Sequence, residues 1–204
     1  MKKTVIIVLV LILILVTLGI FALGFIKDDD KNTERSQETY RVGKISEDYY
    51  TGSGFQIHLP EGWTTKKVGD DYVSVDSAYD SSAKKNNGVI AISVSEYVGD
   101  EKTSDEILED VEYAVTMETE GSYVTSREKI TLSDGTPAYI LNYSFFLEVN
   151  EDLTEGIIAN GYELFALNNG ILSIVKGFSS EDEWPNYKDI LKESLLTFRL
   201  SNGQ

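Results

Sequence analysis

The chain of 204 residues contains no cysteine and a single histidine, His58. The first absence excludes disulfides, a thiolate nucleophile, a cysteine metal centre and a lipid-modified cysteine anchor. The second excludes any site that needs two imidazoles. Basic residues are also scarce: 18 Lys and Arg stand against 34 Asp and Glu, a formal net charge of −16. Nucleic-acid binders and proteins that adhere to anionic lipid by charge need the opposite balance. No Gly-x-Ser-x-Gly nucleophile elbow occurs, and no glycine-rich loop precedes a helix. The sequence assigns no residue a catalytic, cofactor-binding or metal-binding role and implies no cofactor. It states what kind of object the chain is, and not what the object does.

What is present begins with residues 4–26, an uncharged run dominated by Leu, Ile and Val. At about 1.5 Å per residue it is long enough to cross a hydrocarbon core of about 30 Å as a helix. A cleaved signal peptide is the rival reading. The run exceeds the usual h-region of about 7–15 residues, and Leu23-Gly24-Phe25-Ile26-Lys27 lacks a small-x-small cleavage site. The expectation is therefore an uncleaved single-pass anchor within residues 1–26. Basic residues lie on both sides of it, so orientation is not given by charge alone. The short two-lysine head, Lys2-Lys3, resembles a secretory n-region, and a long domain translocates largely regardless of its charge. The expected location of the rest is outside the cytoplasmic membrane, in the cell envelope.

Residues 27–51 are polar, charged and almost free of aliphatics before Val42 and Ile45. They read as a flexible stalk. Residues 52–204 are then one domain. Without Lys2 and Lys3, 16 basic residues face 34 acidic ones, a net of −18 beyond the anchor. Solubility accounts for such a surface; an acidic face for a basic partner or for cations is the functional reading.

Phe55-Gln56-Ile57-His58-Leu59 alternates as a half-buried strand, stopped by Pro60-Glu61-Gly62. Trp63 opens a second strand and is read as a core residue packed under a sheet. A third strand is expected over 72–75, a loop over 76–87 and a strand over 89–97. Thr103 or Ser104 caps a helix to about Thr119, with Ile107, Leu108, Val111, Ala114 and Val115 as its apolar stripe. Strands follow over 123–132, 138–149, 157–167 and 171–178. Asp134-Gly135 and Asn169-Gly170 are hairpin turns, and Asn160-Gly161 suggests a bulge. A last helix starts near Glu183 with Pro185 in its first turn and buries Tyr187, Leu191, Leu195 and Phe198. Strands apolar on both faces need cover on both sides.

Gly54-Phe55-Gln56-Ile57-His58-Leu59-Pro60-Glu61-Gly62-Trp63 resembles the opening of the PsbP-like fold, a glycine-aromatic strand followed by Pro-x-Gly-Trp. Gly135-Thr136-Pro137-Ala138-Tyr139 is similar to its mid-domain strand entry. Ser194-Leu195-Leu196-Thr197-Phe198 is similar to its close. The resemblance implies an α/β class fold, an α/β/α sandwich around a mostly antiparallel sheet; residues 4–26 add the expected transmembrane helix before it. It carries over no functional residue, since folds of this kind serve unrelated binding and assembly roles.

Five groups of residues are candidate sites. His58 falls on the polar face of its strand and reads as a surface or edge histidine. Asp70, Asp71, Asp76 and Asp80 could gather around a cation, but match no calcium loop. The acids between Glu101 and Glu120 read as a wet helix face. Asn142-Tyr143-Ser144 is a glycosylation sequon in mid-strand, and Asn87-Gly88 reads as a turn. The leading expectation is a membrane-tethered binding or assembly module without catalytic activity, with a protein or envelope component as partner. Alternatives are a small-ligand or cation-binding envelope protein and, third, a carboxylate-dependent hydrolase. A pocket holding two carboxylates with perturbed pKa values would favour the hydrolase; an exposed apolar patch would favour the binding module.

Overall fold

The computed structural model describes residues 44–52, 54–69, 74–80, 88–96, 122–148 and 156–201, with positions 103, 105–107, 109, 110 and 113. The expected anchor, residues 4–26, lies outside them. Among the described residues no helix is long and apolar enough to cross a membrane.

Ten strands are described: β1 (Ile45–Thr51), β2 (Phe55–Pro60), β3 (Thr64–Gly69), β4 (Ser74–Tyr79), β5 (Gly88–Glu96), β6 (Tyr123–Thr131), β7 (Pro137–Glu148), β8 (Gly156–Asn168), β9 (Ile171–Ser180) and β10 (Arg199–Leu200). They form a seven-stranded sheet, ordered β3-β4-β5-β9-β8-β7-β6, and a three-stranded sheet, ordered β1-β2-β10. Every pairing is antiparallel. A C-terminal helix spans Trp184–Leu196.

This corrects the expected α/β/α sandwich around one sheet. The described chain is mostly β, in two sheets. The reason lies in residues 45–51, read from composition as the end of a stalk. They are strand β1, paired through Tyr49↔His58, Tyr50↔Ile57 and Thr51↔Gln56. β2, flanked by β1 and β10, belongs to this small sheet and not to the large one.

Alternation decides which residues meet. Phe55, Ile57 and Leu59 of β2 point inward, as do Ile90, Ile92, Leu164 and Val175 of the large sheet. Tyr187, Leu191 and Leu195 of the helix, then Phe198, complete this core. The other face of the large sheet carries aromatics. Tyr139 stacks on Phe165 at 5.4 Å, Tyr143 on Phe145 at 5.1 Å, and Phe145 meets Phe178 edge-on at 5.6 Å. On that side Asp105, in the helical residues around buried Ile107, reaches Lys129 of β6 at 3.1 Å. Thr103 is the cap of those residues. Its hydroxyl accepts from the Glu106 amide at 3.3 Å, and the Glu106 carboxylate accepts from the Thr103 amide at 2.8 Å. That reciprocal pair is a capping box.

Asn169 (φ 51°) and Gly170 (φ 77°) turn β8 into β9, the left-handed pair that a two-residue hairpin requires. The expected bulge at Asn160-Gly161 is absent. Gly161 pairs in continuous register with Tyr143 and Phe178. It is glycine for room: a Cβ there would lie 2.9 Å from Phe178 Cβ and 3.0 Å from the Gly177 carbonyl.

Candidate functional site: the face and cleft of the three-stranded sheet

The small sheet presents a distinct outer face. Tyr49 of β1 lies with its ring centroid 3.6 Å from that of His58. Arg199 of β10 places its guanidinium carbon 3.9 Å from the Tyr49 ring centroid. The same guanidinium donates through Nε and Nη2 to Gln56 Oε1, at 3.0 and 2.7 Å. Three strands thus fix one aromatic–cation group. Cation–π contacts of this kind contribute about 0.5–1 kcal/mol where exposed. Tyr49 is still 37% exposed.

His58 is more integrated than expected for a surface histidine. It is half-buried, and its Nδ1 is buried without a hydrogen-bond partner among the described residues. Its backbone is clamped to the helix end: its amide donates to Thr197 Oγ1 at 2.9 Å, and its carbonyl accepts from Ser194 Oγ at 2.6 Å.

Beside this face lies an open cleft of about 310 Å³. Ser46, Asp48, Tyr49 and Tyr50 of β1 form one wall, and Leu59 through Trp63 form the other. Local geometry explains it. Between Ile45↔Pro60 and Tyr49↔His58, β1 spends four residues where β2 spends two. Such an irregularity re-aims side chains. Ser46 Oγ accepts the Asp48 amide at 3.1 Å within it. On the far wall the Trp63 amide donates to the Pro60 carbonyl at 3.3 Å, closing a turn through Gly62 at φ +78°. The Glu61 amide donates to the Lys44 carbonyl at 2.8 Å, which ties that turn to the start of β1. Trp63 is half-buried, edge-on to Tyr187 at 6.2 Å. It packs against the core while lining the cleft.

The remaining sequence candidates disperse. Asp70 and Asp71 lie outside the described residues. Asp80 is buried and accepts from Tyr187 Oη at 2.9 Å, a structural contact. Asp105, Glu106 and Glu109 are exposed. Asn142 lies in mid-strand on β7, paired with Tyr162 and Ser126. Gly88 is not a turn residue but the first of β5, where a Cβ would lie 2.5 Å from Tyr187 Cδ1 and 2.9 Å from the Trp63 ring.

One titratable group was missed in the sequence. Glu163 of β8 and Lys176 of β9 are cross-strand partners with 0% and 2% side-chain exposure, Nζ lying 3.3 Å from Oε2. Lys176 is the charged partner of the Glu163 carboxylate, and among the described residues no other group donates a hydrogen bond to it. Burial pushes the Glu163 carboxyl above its ordinary value; the Lys176 charge works against that rise. Lys176 also lies 5.9 Å from the Tyr143 ring centroid. Sealed in the aromatic core, the pair has no access to a substrate. A second exposed group, Tyr123, Phe146 and Ile158, lies along β6, β7 and β8, with Phe146 and Ile158 paired in register.

Compared by sequence, the chain matches no protein family and no curated protein. Compared by structure, it is similar to the cyanobacterial PsbP, CyanoP, of Synechocystis, with 18% identity over 78% of this chain and 95% of that one, at TM-score 0.56. It is similar to the Ran-binding protein Mog1p of Saccharomyces cerevisiae, with 12% identity over 77% and 96%, at TM-score 0.52. It is also similar to PA94 of Pseudomonas aeruginosa, with 16% identity over 79% and 100%, at TM-score 0.50. The fold is PsbP-like. At these identities the likeness extends to the backbone and not to particular side chains. In this PsbP-like chain the residues of the glycine-aromatic, Pro-x-Gly-Trp opening build β2 and the turn wall of the cleft.

Proposed function

We propose that this protein is a membrane-tethered, extracytoplasmic binding module that engages a protein partner through its three-stranded sheet. One observation carries the reading. The outer face of that sheet holds a fixed aromatic–cation group, Tyr49 with Arg199 and His58, beside a cleft walled by Tyr50 and Trp63. Tyrosine, tryptophan and arginine on a rigid surface are the residue types that anchor protein interfaces. Rigidity here comes from the Arg199–Gln56 hydrogen bonds and from the helix clamp on His58. A neighbour of the same fold, Mog1p, is named for binding another protein. Binding without turnover fits a face whose fixed groups are rings and a guanidinium. Tethering and location outside the membrane rest on residues 4–26 and the Lys2-Lys3 head of the sequence.

The test is site-specific photo-cross-linking of the full chain in its membrane. A photoreactive residue at exposed Thr51, on the outer face, is expected to give a discrete protein adduct. Tyr49→Ala and Arg199→Ala are expected to remove it, while the same probe at exposed Asp134 gives none. An adduct that survives both substitutions, or no adduct at all, counts against the sheet as the binding face.

A further inference from the structure

We propose that the cleft between β1 and the Pro60–Trp63 turn receives a lysine or arginine side chain of a basic protein partner. The inference rests on the three-stranded sheet being the binding face and adds what that face recognises.

The lining argues for a cation. Asp48 and Glu61 stand on opposite walls, both exposed, and among the described residues the lining contains no basic side chain. Tyr49 and Tyr50 share the wall of Asp48, and Trp63 shares that of Glu61. Exposed carboxylates beside aromatic side chains in one cleft attract a cation by charge and offer it ring surface. The chain already uses this chemistry on the adjacent face, where Tyr49 holds the Arg199 guanidinium.

Size and steering narrow the choice. At about 310 Å³ the cleft is at the small end of ligand pockets, which run from about 300 to 1,000 Å³. A single long side chain suits it better than a cofactor or a folded ligand. Tyr50 and Trp63 pack against the main core, so the walls are set before a ligand arrives. A chain with a net charge of −16 speeds encounter with a basic surface and repels an acidic one.

The test uses the full-length chain in detergent, with Trp184→Phe so that Trp63 is the sole indole. The probe is the peptide acetyl-Gly-Arg-Gly-amide, with citrulline or glutamate in place of arginine as controls. The arginine peptide is expected to change Trp63 fluorescence saturably, with affinity falling several-fold between about 50 and 500 mM salt. Asp48→Asn with Glu61→Gln is expected to weaken it about tenfold with an unchanged circular dichroism spectrum and melting temperature, since both residues are exposed. Equal binding of the citrulline peptide, preference for the glutamate peptide, indifference to the double substitution, or no response to any peptide would each overturn the proposal. Any of these beside an intact Thr51 adduct removes only the cation preference. Loss of that adduct removes the binding face itself.

Discussion

A charged pair sealed in a core is a poor stabiliser and a costly thing to break. Taking two ions out of water costs several kcal/mol each, and their attraction repays this only where further hydrogen bonds satisfy the remaining lone pairs; among the described residues none but Lys176 meets the Glu163 carboxylate. Lys176→Met strands the carboxylate and is expected to cost about 3–5 kcal/mol in urea denaturation. Glu163→Leu with Lys176→Met is expected to be neutral or stabilising by about 1–4 kcal/mol. If the double variant is as damaged as the single one, the pair is a net contributor to stability. The pH dependence has a definite sign. Burial raises the carboxyl of folded Glu163, against the opposing Lys176 charge, so the folded state binds the proton more readily. Its contribution is fully present below the unfolded value and is lost as pH rises through the folded one. Stability relative to Glu163→Gln should therefore increase as pH falls across that window, and a difference that is flat or opposite in slope would refute the assignment. Gly88 is a second residue whose side chain, or lack of one, matters. Gly88→Ala drives a methyl into the Tyr187 ring and is expected to cost about 1–3 kcal/mol, read as a lowered urea midpoint at constant slope.

Among the elements, β1 is the first that the structure describes. Its residues, Ile45-Ser46-Glu47-Asp48-Tyr49-Tyr50-Thr51, are mostly polar, and as an edge strand it is largely exposed. Composition therefore gives it the look of a stalk, and only its register with β2 shows otherwise. A chain starting at Gly52 lacks one wall of the cleft and leaves the β2 edge unpaired. It is expected to unfold at lower urea than a chain starting at Lys44, by about 1–3 kcal/mol for the lost pairing and packing. Equal midpoints would place β1 outside the cooperative unit. The contrast with β7, β8, β9 and the C-terminal helix explains what a sequence can disclose. Those elements alternate or repeat strongly, and Asn169-Gly170 has a local conformational reason to turn, so their positions were readable. The division into two sheets depends on pairings between distant segments, such as β10 with β2, which leave no local signature. The Glu163–Lys176 contact is hidden for the same reason. The cleft is half legible: the Pro60–Trp63 turn stands out, whereas its other wall lies in the segment that resembled linker.

At the scale of the whole molecule, the sheet face can meet a partner only if the chain is held where that partner is. Residues 4–26 are uncharged and long enough to span the hydrocarbon, and a polar stretch separates them from Lys44. An extended chain reaches at most about 3.3–3.6 Å per residue. If residues 4–26 span a membrane as proposed, the number of residues before Lys44 sets an upper limit on how far the small sheet could stand from it. In the proposed tethered arrangement, net negative charge would disfavour adsorption of the domain onto anionic headgroups. With the domain outside, a cysteine introduced at Ser36 is the sole thiol of the chain, because the natural sequence has none. An impermeant maleimide added to intact cells is expected to label it at a rate close to that found after lysis. Protection until lysis would place the domain in the cytoplasm and remove the envelope partner from reach. Labelling of a released protein that starts beyond Ile26 would show a cleaved leader. In that case the charge-driven encounter would operate free in solution, and the same Asp48 and Glu61 substitutions would still weaken it. The topology and the recognition chemistry thus separate experimentally, and the labelling result decides where the partner is to be sought.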